Sequence, residues 1–417
     1  MQEITKKHTE LLRKGFDEWP VRKDMPALGD ARWTQDLILS TWHAAGTKKP
    51  PTNGLEFRKG ASGGGFDRLD FGFLPKEKWA THADLSLDIK QIKLEVPFYG
   101  AGMSYGSVSE NIMLARAMAA KMWNTFTCTG EGGYPDALVP YKDHVITQVA
   151  TGMFGVREET IQYARIVELK YAQGAKPGLG GHLLADKTTI EVAKMRGSVP
   201  WINLFSPFPF HSVYSVEDHK KQVDWIKTIN PKALISVKVS TPIDVDMVAV
   251  GSYFAGADIL HMDGSYGGTG AAPEIAKKNI AMPLELAIPR VHRFLIQEGL
   301  RDKITVMVSG GIRTADDMAK AIALGADGCV LGTAELIAMG CTRCANCERG
   351  RGCPFGLTTT DPELTQLVDP SWGAERISNL YAFYSEQLQE ILCKLGLTSV
   401  CQLRGRHDLL RYIHEGV

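Results

Sequence analysis

From Val96 onward the chain alternates short apolar runs with segments whose apolar residues recur at helical spacing. Eight runs read as strands: VPFYGAGMS (96–104), TFTCTGEGG (125–133), HVITQVA (144–150), RIVELKYA (165–172), ALISVKVS (233–240), ADILHMDG (257–264), ITVMVSGG (304–311) and DGCVLGTA (327–334). Small or polar residues close nearly every run, and helical patterns follow most of them. That βα rhythm predicts a parallel sheet closed or covered by helices, and eight units predict an α/β protein of the (β/α)8 TIM barrel type. A ninth apolar run, VPWINLFSPFPF (199–210), is rich in proline, which spoils a central strand, so it is placed in a long loop after the fourth strand.

Helix punctuation supports this register. Ser107 and Glu110 stand at capping-box spacing before NIMLARAMAAKM, and TADDMAKAIALGAD starts at Thr314 and stops at Gly325. ERISNLYAFYSEQLQEILCKLG (375–396) repeats its apolar positions at helical spacing. Residues 1–75 are polar, with glycine and proline clusters, and read as an N-terminal extension that is part helical; the run from Gly60 to Gly65 reads as a plain loop. The expected organisation is an extension over 1–75, a barrel over 76–340, a cysteine loop over 341–357 and a C-terminal helical segment over 358–417.

Composition narrows the partners. A chain of 417 residues with 44% hydrophobic content can bury a large core. Lysine plus arginine and aspartate plus glutamate both number 47, so no net field draws the chain to nucleic acid or to an anionic membrane. The N-terminus lacks an apolar core of signal-peptide length, and no segment approaches the roughly 20 apolar residues of a membrane span. A soluble cytoplasmic protein acting on a small molecule or another protein is expected. Four of the eight cysteines fall within 341–353, which suits metal or redox duty in a reducing compartment better than a disulfide framework.

The strand ends carry the candidate chemistry. SGGIRT after the seventh strand and LGTA after the eighth lie where barrels of this class seat a phosphate on backbone N–H groups, and DGSYGGTG precedes them. A single glycine pair can be a tight turn alone, whereas adjacent ones point to a phosphate-bearing cofactor. Lys238 stands in an apolar strand; it either faces water at a strand end or sits beside an anion or an electron-rich acceptor, as in flavin barrels where a lysine stabilises the reduced ring. Gln148, closing the third strand, either faces water or bonds the pyrimidine edge of the same ring.

The long loop after the fourth strand carries Lys176, His182, Lys187, Arg196, His211, Ser215 and Glu217. Lysine and arginine converging near a flavin suit a dicarboxylate. Ser215 equally fits an N-cap of VEDHKKQVDWIK, with Glu217 favoured in its first turn by the helix dipole, and His182 and His211 equally fit ordinary core or surface positions. In CTRCANCERGRGCPFG, Cys341, Cys344, Cys347 and then Cys353 before proline have a spacing like the iron–sulfur run of bacterial ferredoxins, with five residues in the last gap; zinc is the rival. Cys128, Cys329, Cys393 and Cys401 are scattered and read as core or surface thiols.

Taken in order, GAGMSYGSVS, CTGEGG, QVATGMFGV, YAQGAKPGLGGHL, FSPFPFHSVYSVEDH, ISVKVS, DGSYGGTGAAP and GCTRCANCERGRGCPFGLTTTDPEL resemble the FMN-binding synthase domain of glutamate synthases, from about Phe66 to Arg406. The resemblance implies a (β/α)8 barrel with FMN and an iron–sulfur cluster, in which reduced flavin passes hydride to 2-iminoglutarate made from 2-oxoglutarate and ammonia. It assigns Met103, Ser104, Gln148, Lys238, Gly268, Gly310, Gly311, Gly332 and Thr333 to FMN. Lys176, His182, Arg196 and Ser215 fall to the oxo-acid pocket, and Lys176, Lys238 and Glu217 to catalysis.

This chain departs from the family pattern at three places. The family loop usually reads KPGEGGQL, whereas Leu179 and His182 stand here for its glutamate and glutamine, so the substrate is 2-oxoglutarate or a relative of it. The family cluster uses three cysteines; Cys344 adds a fourth ligand, which favours a four-iron cluster over a three-iron one. The amidotransferase domain, the C-terminal β-helix and any Rossmann fingerprint are missing from the sequence. Ammonia or an amine is therefore expected from elsewhere, from an amidotransferase subunit for instance, and electrons from ferredoxin or a reductase subunit, in an oligomeric assembly. Methylamine in place of ammonia, giving N-methylglutamate, is the neighbouring alternative; a flavin and iron–sulfur electron-transfer subunit is the alternative of another class.

Overall fold

The structure, a computed structural model, describes residues 29–30, 32–50, 65–207, 209–211, 213–269, 272, 275–277, 279–345, 347–348 and 352–413. Most of the glycine run at 60–65 lies outside them.

All eight expected strands form, and they join one sheet. They are β1 (Phe98–Gly100), β2 (Thr127–Cys128), β3 (Val145–Ala150), β4 (Ile166–Lys170), β5 (Leu234–Ser240), β6 (Ile259–Asp263), β7 (Thr305–Ser309) and β8 (Gly328–Leu331). From β2 to β8 each strand pairs in parallel with the next, and β8 pairs with β1 through Val330 and Tyr99. The remaining seam, between β1 and β2, closes through the parallel bridge of Gly102 and Cys128 and the Gly100 N–H on the Phe126 carbonyl at 2.8 Å. The protein is a (β/α)8 barrel.

Strand alternation sorts the side chains into two cores. Ile146, Ile166, Leu234, Ile259, Met307 and Val330 pack together inside the barrel. Their chain neighbours Val145, Val167, Ile235, Leu260, Val306 and Leu331 belong instead to the outer core under the helices. Leu87 and Ile89, paired antiparallel with Leu94 and Ile92, join the inner cluster and plug the amino end of the barrel. Two residues further along each strand the inner face turns polar: Gln148, Glu168, Ser236 and His261, then Lys170, Lys238, Asp263 and Ser309, all buried. Apolar packing thus fills the bottom of the barrel, and the charge gathers at the carboxyl ends.

Helices of the outer layer are α1 (Gln35–Thr47), α2 (Glu110–Met122), α3 (Glu158–Gln162), α4 (Ile190–Arg196), α5 (Val216–Ile229), α6 (Val245–Phe254), α7 (Leu284–Gln297), α8 (Ala315–Leu324), α9 (Thr333–Ala338) and α10 (Pro370–Lys394). Thr314 caps α8, as its sequence predicts. Helix α2 is capped by Ser109, not by Ser107: the Ser109 hydroxyl takes the Ile112 N–H, while Ser107 donates to the Ser104 carbonyl at 2.7 Å. The C-terminal helix is longer than its apolar repeat suggested, because Asp369 caps it and Pro370 opens it at a position where no N–H is needed. Its Asn379 donates to the Ala45 carbonyl of α1 at 2.9 Å, and its Arg376 reaches both Trp42 and Ala338.

The proline-rich run after β4 stays out of the barrel, as expected, although Leu204–Phe205 pairs antiparallel with His182–Leu183 to make a small ribbon. Among the described residues no helix is long and apolar enough to cross a membrane.

Candidate functional site

The carboxyl ends of the strands open into a cavity of about 670 Å³, within the range of small-molecule sites. Its wall includes Met103 and Ser104 after β1, Gly130 and Glu131 after β2, Gln148 of β3, Lys170 of β4, Lys238 of β5, Asp263 of β6, Gly310 and Gly311 after β7, and Gly332 and Thr333 after β8.

One side is a cradle of glycine. Gly310 has φ +98°, and a Cβ there would stand 2.5 Å from the Gly264 carbonyl oxygen, so only glycine fits. A Cβ at Gly268 would stand 2.6 Å from Thr333 Oγ1 and 3.2 Å from Arg343 Nη1. The loop between β7 and α8 is anchored by Arg313, whose guanidinium holds Asp317 at 2.9 Å and Asp67 at 2.7 Å. Arg32 of the extension lies over the Tyr266 ring at 3.8 Å.

The floor is Lys238, 5% exposed, with Nζ 3.9 Å from Asp263 Oδ2. Burial by itself would lower its pKa; the carboxylates of Asp263 and Glu168 outweigh that and raise it, so the lysine is charged. The opposite wall gathers cations around one acid, Glu131, whose side chain is largely enclosed. Glu131 Oε1 is 3.4 Å from Lys170 Nζ and 4.0 Å from Lys176 Nζ. Burial would raise the Glu131 carboxyl, but Lys170, Lys176 and Arg196 hold it at about 2. Burial first, and then repulsion from Lys170, bring Lys176 down to about 8. Burial and Lys176 together keep His182 low, so its ring is neutral near pH 7. Buried His182 Nε2 and Arg196 Nε have no hydrogen-bond partner among the described residues.

Cys341, Cys344, Cys347 and Cys353 all line this cavity. Burial, then the neighbouring Cys347, pushes the Cys341 thiol up to about 12. Arg343, between the first two cysteines, donates to Asp30 Oδ2 through Nε at 3.0 Å and Nη2 at 2.5 Å. Lys187 Nζ donates to the Thr358 carbonyl at 3.2 Å and stands 3.7 Å from Glu348. Among the described residues no group of three or more His, Cys, Asp or Glu is arranged to hold a metal ion.

The model of the conserved region in glutamate synthase matches residues 69–398. The chain belongs to the glutamate synthase family. The archaeal glutamate synthase (NADPH) of Methanocaldococcus jannaschii is 42% identical over 349 residues, which are 82% of this chain and 68% of that protein. The archaeal-type glutamate synthase (NADPH) of Thermotoga maritima is 42% identical over 328 residues, 78% of this chain and 64% of that protein. The chain thus spans between 64% and 68% of the length of these two relatives. Among solved structures, a flavocytochrome b2 variant with pyruvate bound superposes with a TM-score of 0.54 at 16% identity, covering 99% of this chain and 91% of that one. The flavin-binding domain of baker's yeast flavocytochrome b2 gives 0.52 at 17% identity, covering 92% and 80%. At such identities the likeness is one of fold.

In this glutamate synthase-family barrel, the cavity brings together Met103, Ser104, Gln148, Lys176, His182, Arg196, Lys238, Gly268, Gly310, Gly311, Gly332, Thr333 and the four cysteines of the loop. Ser215 and Glu217 are absent from its wall. Both are exposed at the start of α5, where the Ser215 hydroxyl caps the helix by accepting the Asp218 N–H at 3.3 Å. Neither Ser215, which the resemblance gives to the oxo-acid pocket, nor Glu217, which it gives to catalysis, is brought to this cavity. His211 is exposed as well. Sequence reasoning missed Glu131, Lys170, Glu168, His261 and Asp263. Their signal was present, since each of these polar residues interrupts an apolar strand or its glycine-rich end, as Lys238 does. Asp30 gave no signal at all, because only the fold brings the extension against the cysteine loop.

Proposed function

We propose that the chain is the synthase unit of a glutamate synthase-type oxidoreductase, reducing the imine formed from an oxo acid and ammonia. The carrying observation is the convergence, on one cavity, of a buried charged lysine beside a glycine cradle, a cluster of buried cations, and four thiols. The glycine cradle fits a phosphate-bearing flavin, since a Cβ at Gly268 or Gly310 would fill the space against Thr333 or the Gly264 carbonyl. Met103, Ser104, Gln148, Lys238, Gly268, Gly310, Gly311, Gly332 and Thr333 would hold FMN, which when bound supplies hydride transfer. Thiol donors suit iron: Cys341, Cys344, Cys347 and Cys353 would hold an iron–sulfur cluster, which supplies one-electron transfer.

The chain's own residues do the rest. Lys238 presents positive charge from the floor, where it would stabilise negative charge arriving on a bound ring. Arg196 and Lys176 take the carboxylates of a dicarboxylic oxo acid, and the orphaned Nε of Arg196 and Nε2 of His182 gain partners on binding. Lys176, held at about 8, is poised to move a proton at the substrate nitrogen near neutral pH. Glu131 fixes the positions of Lys170 and Lys176 before substrate arrives. Electrons from a ferredoxin or reductase and ammonia from an amidotransferase subunit complete the reaction.

The test is anaerobic purification with flavin and iron assays, followed by mixing the reduced protein with 2-oxoglutarate and ammonia. Stoichiometric flavin reoxidation with glutamate as product supports the proposal. Reoxidation only with methylamine redirects it to N-methylglutamate. Failure with every oxo acid and amine, in protein carrying both flavin and iron, refutes it in favour of an electron-transfer subunit.

A further inference from the structure

Beneath the cavity floor runs a chain of buried polar groups, of which the proposed function leaves Glu168, Ser236, His261, Ser309 and Asp263 unused. Gln148 Nε2 donates to Glu168 Oε1 at 2.7 Å, and Ser236 Oγ donates to Glu168 Oε2 at 3.1 Å. His261 Nδ1 lies 2.8 Å from Glu168 Oε2, and His261 Nε2 lies 2.8 Å from Ser309 Oγ. Ser309 donates to Asp263 Oδ1 at 2.6 Å. The other Asp263 oxygen accepts the Gly174 N–H at 2.9 Å and stands 3.9 Å from Lys238 Nζ. Glu168 and His261 are 1% exposed, and Ser309, Asp263 and Lys238 are each 5% exposed.

Counting protons fixes the state of this chain. A serine hydroxyl has one proton and two lone pairs. Ser309 gives its proton to Asp263, so it must accept from His261, and His261 Nε2 carries hydrogen. An ionised Glu168 offers only lone pairs, so His261 Nδ1 carries hydrogen too. His261 is then an imidazolium held between a carboxylate and a serine. Burial would raise the Glu168 carboxyl, yet its neighbours, His261 foremost, hold it at about 2.

We infer that His261 and Ser309 form a proton relay that frees Lys238 from Asp263 when negative charge arrives above it, so that Glu168, His261, Ser309 and Asp263 are positioning residues for Lys238. The step balances internally. The Ser309 proton passes to Asp263 Oδ1, and the His261 Nε2 proton replaces it on Ser309. Nothing is drawn from solvent. Asp263 becomes a neutral acid and His261 a neutral imidazole that still donates through Nδ1, while Glu168 keeps its negative charge, with Gln148, Ser236 and His261 all donating to it. Lys238 then loses its carboxylate neighbour at 3.9 Å and turns its charge to the new anion. An internal shift of this kind suits a dry site, where a proton from water would arrive slowly and an unbalanced charge is costly.

The inference rests on FMN binding in the cavity, and the experiment separates the two. Ser309→Ala and His261→Gln each keep the barrel packing and break the relay at a different point. In the FMN-loaded full chain, spectroelectrochemistry should show both variants disfavouring the reduced flavin by about tenfold, a shift of about 30 mV to lower potential. The double variant should shift no further than either single one. Redox-difference infrared spectra of the unmodified protein should show a carboxyl group gaining a proton on reduction, a band lost in Ser309→Ala. Unshifted potentials in both variants, or no carboxyl band in the unmodified protein, would overturn the relay while leaving the synthase proposal intact; an unmodified chain that takes up no FMN overturns both. Should either variant fail to fold, the infrared experiment on unmodified protein decides.

Discussion

Replacing Glu131 by glutamine tests the electrostatics of the cavity most directly. The acid, its side chain 11% exposed, is the counter-charge of the buried Lys170 at 3.4 Å and Lys176 at 4.0 Å, and its field reaches Arg196. Glu131→Gln keeps shape and removes the charge, leaving buried cations in mutual repulsion. Breaking a buried pair by deleting one partner costs about 3–5 kcal/mol. At about 2.1 cal/mol/K per residue, unfolding a chain of 417 residues carries an entropy near 0.9 kcal/mol/K, so the melting temperature should fall by about 3–6 °C. The acid dependence should change as well. The Glu131 pKa is depressed on folding, so its stabilisation is present above the ordinary 4.5 and fades as pH falls toward about 2; the variant should lack that component. A dicarboxylate then has an advantage, because it supplies the missing negative charge. Thermal melts with and without 2-oxoglutarate should show the ligand stabilising Glu131→Gln more than the parent. Equal melting temperatures for the two proteins, or equal stabilisation by the ligand, would refute the claim that Glu131 balances the substrate cations.

Other outcomes follow from the same geometry. Lys176 is held at about 8, so dicarboxylate binding should weaken as pH rises through that value with a one-proton dependence, and the break should move lower in Glu131→Gln; binding isotherms across pH read both. Gly310→Ala forces an L side chain into φ +98° against the Gly264 carbonyl, a strain of about 1–3 kcal/mol, and should lower FMN retention in gel filtration at least tenfold. Ser215→Ala should lose about 1 kcal/mol of helix capping with kcat/KM for the oxo acid unchanged, whereas a substrate role would cut that ratio. Asp30→Asn releases Arg343 from its ion pair, and iron content per chain should fall at least twofold while circular dichroism stays the same.

The barrel was legible because its signals are local. Each strand announced itself by an apolar run ending in small residues, and Lys238 and Gln148 stood out as polar residues within two of those runs, although the face each one turns to was left open by the sequence. Thr314 and Ser215 were legible as caps for the same reason, since a cap is a matter of three or four neighbouring residues. Ser107 misled because Ser109, two residues on, competes for the same helix start, and only the backbone path decides between two serines.

The amino-acid order alone determined the strand count, the glycine pattern at the strand ends and the bunching of four cysteines, because each depends on residues adjacent in the chain. Tertiary structure alone decided which charges meet. Glu131 is set between Lys170 and Lys176, Glu168 against His261, and Asp30 on Arg343, more than 300 positions away in the chain. Closing eight strands into a ring converts distant positions into neighbours, and the energy of a buried charge is set by those neighbours. Sequence spacing can announce a charge on an inner face; its partner, its protonation and its work follow from the closed barrel.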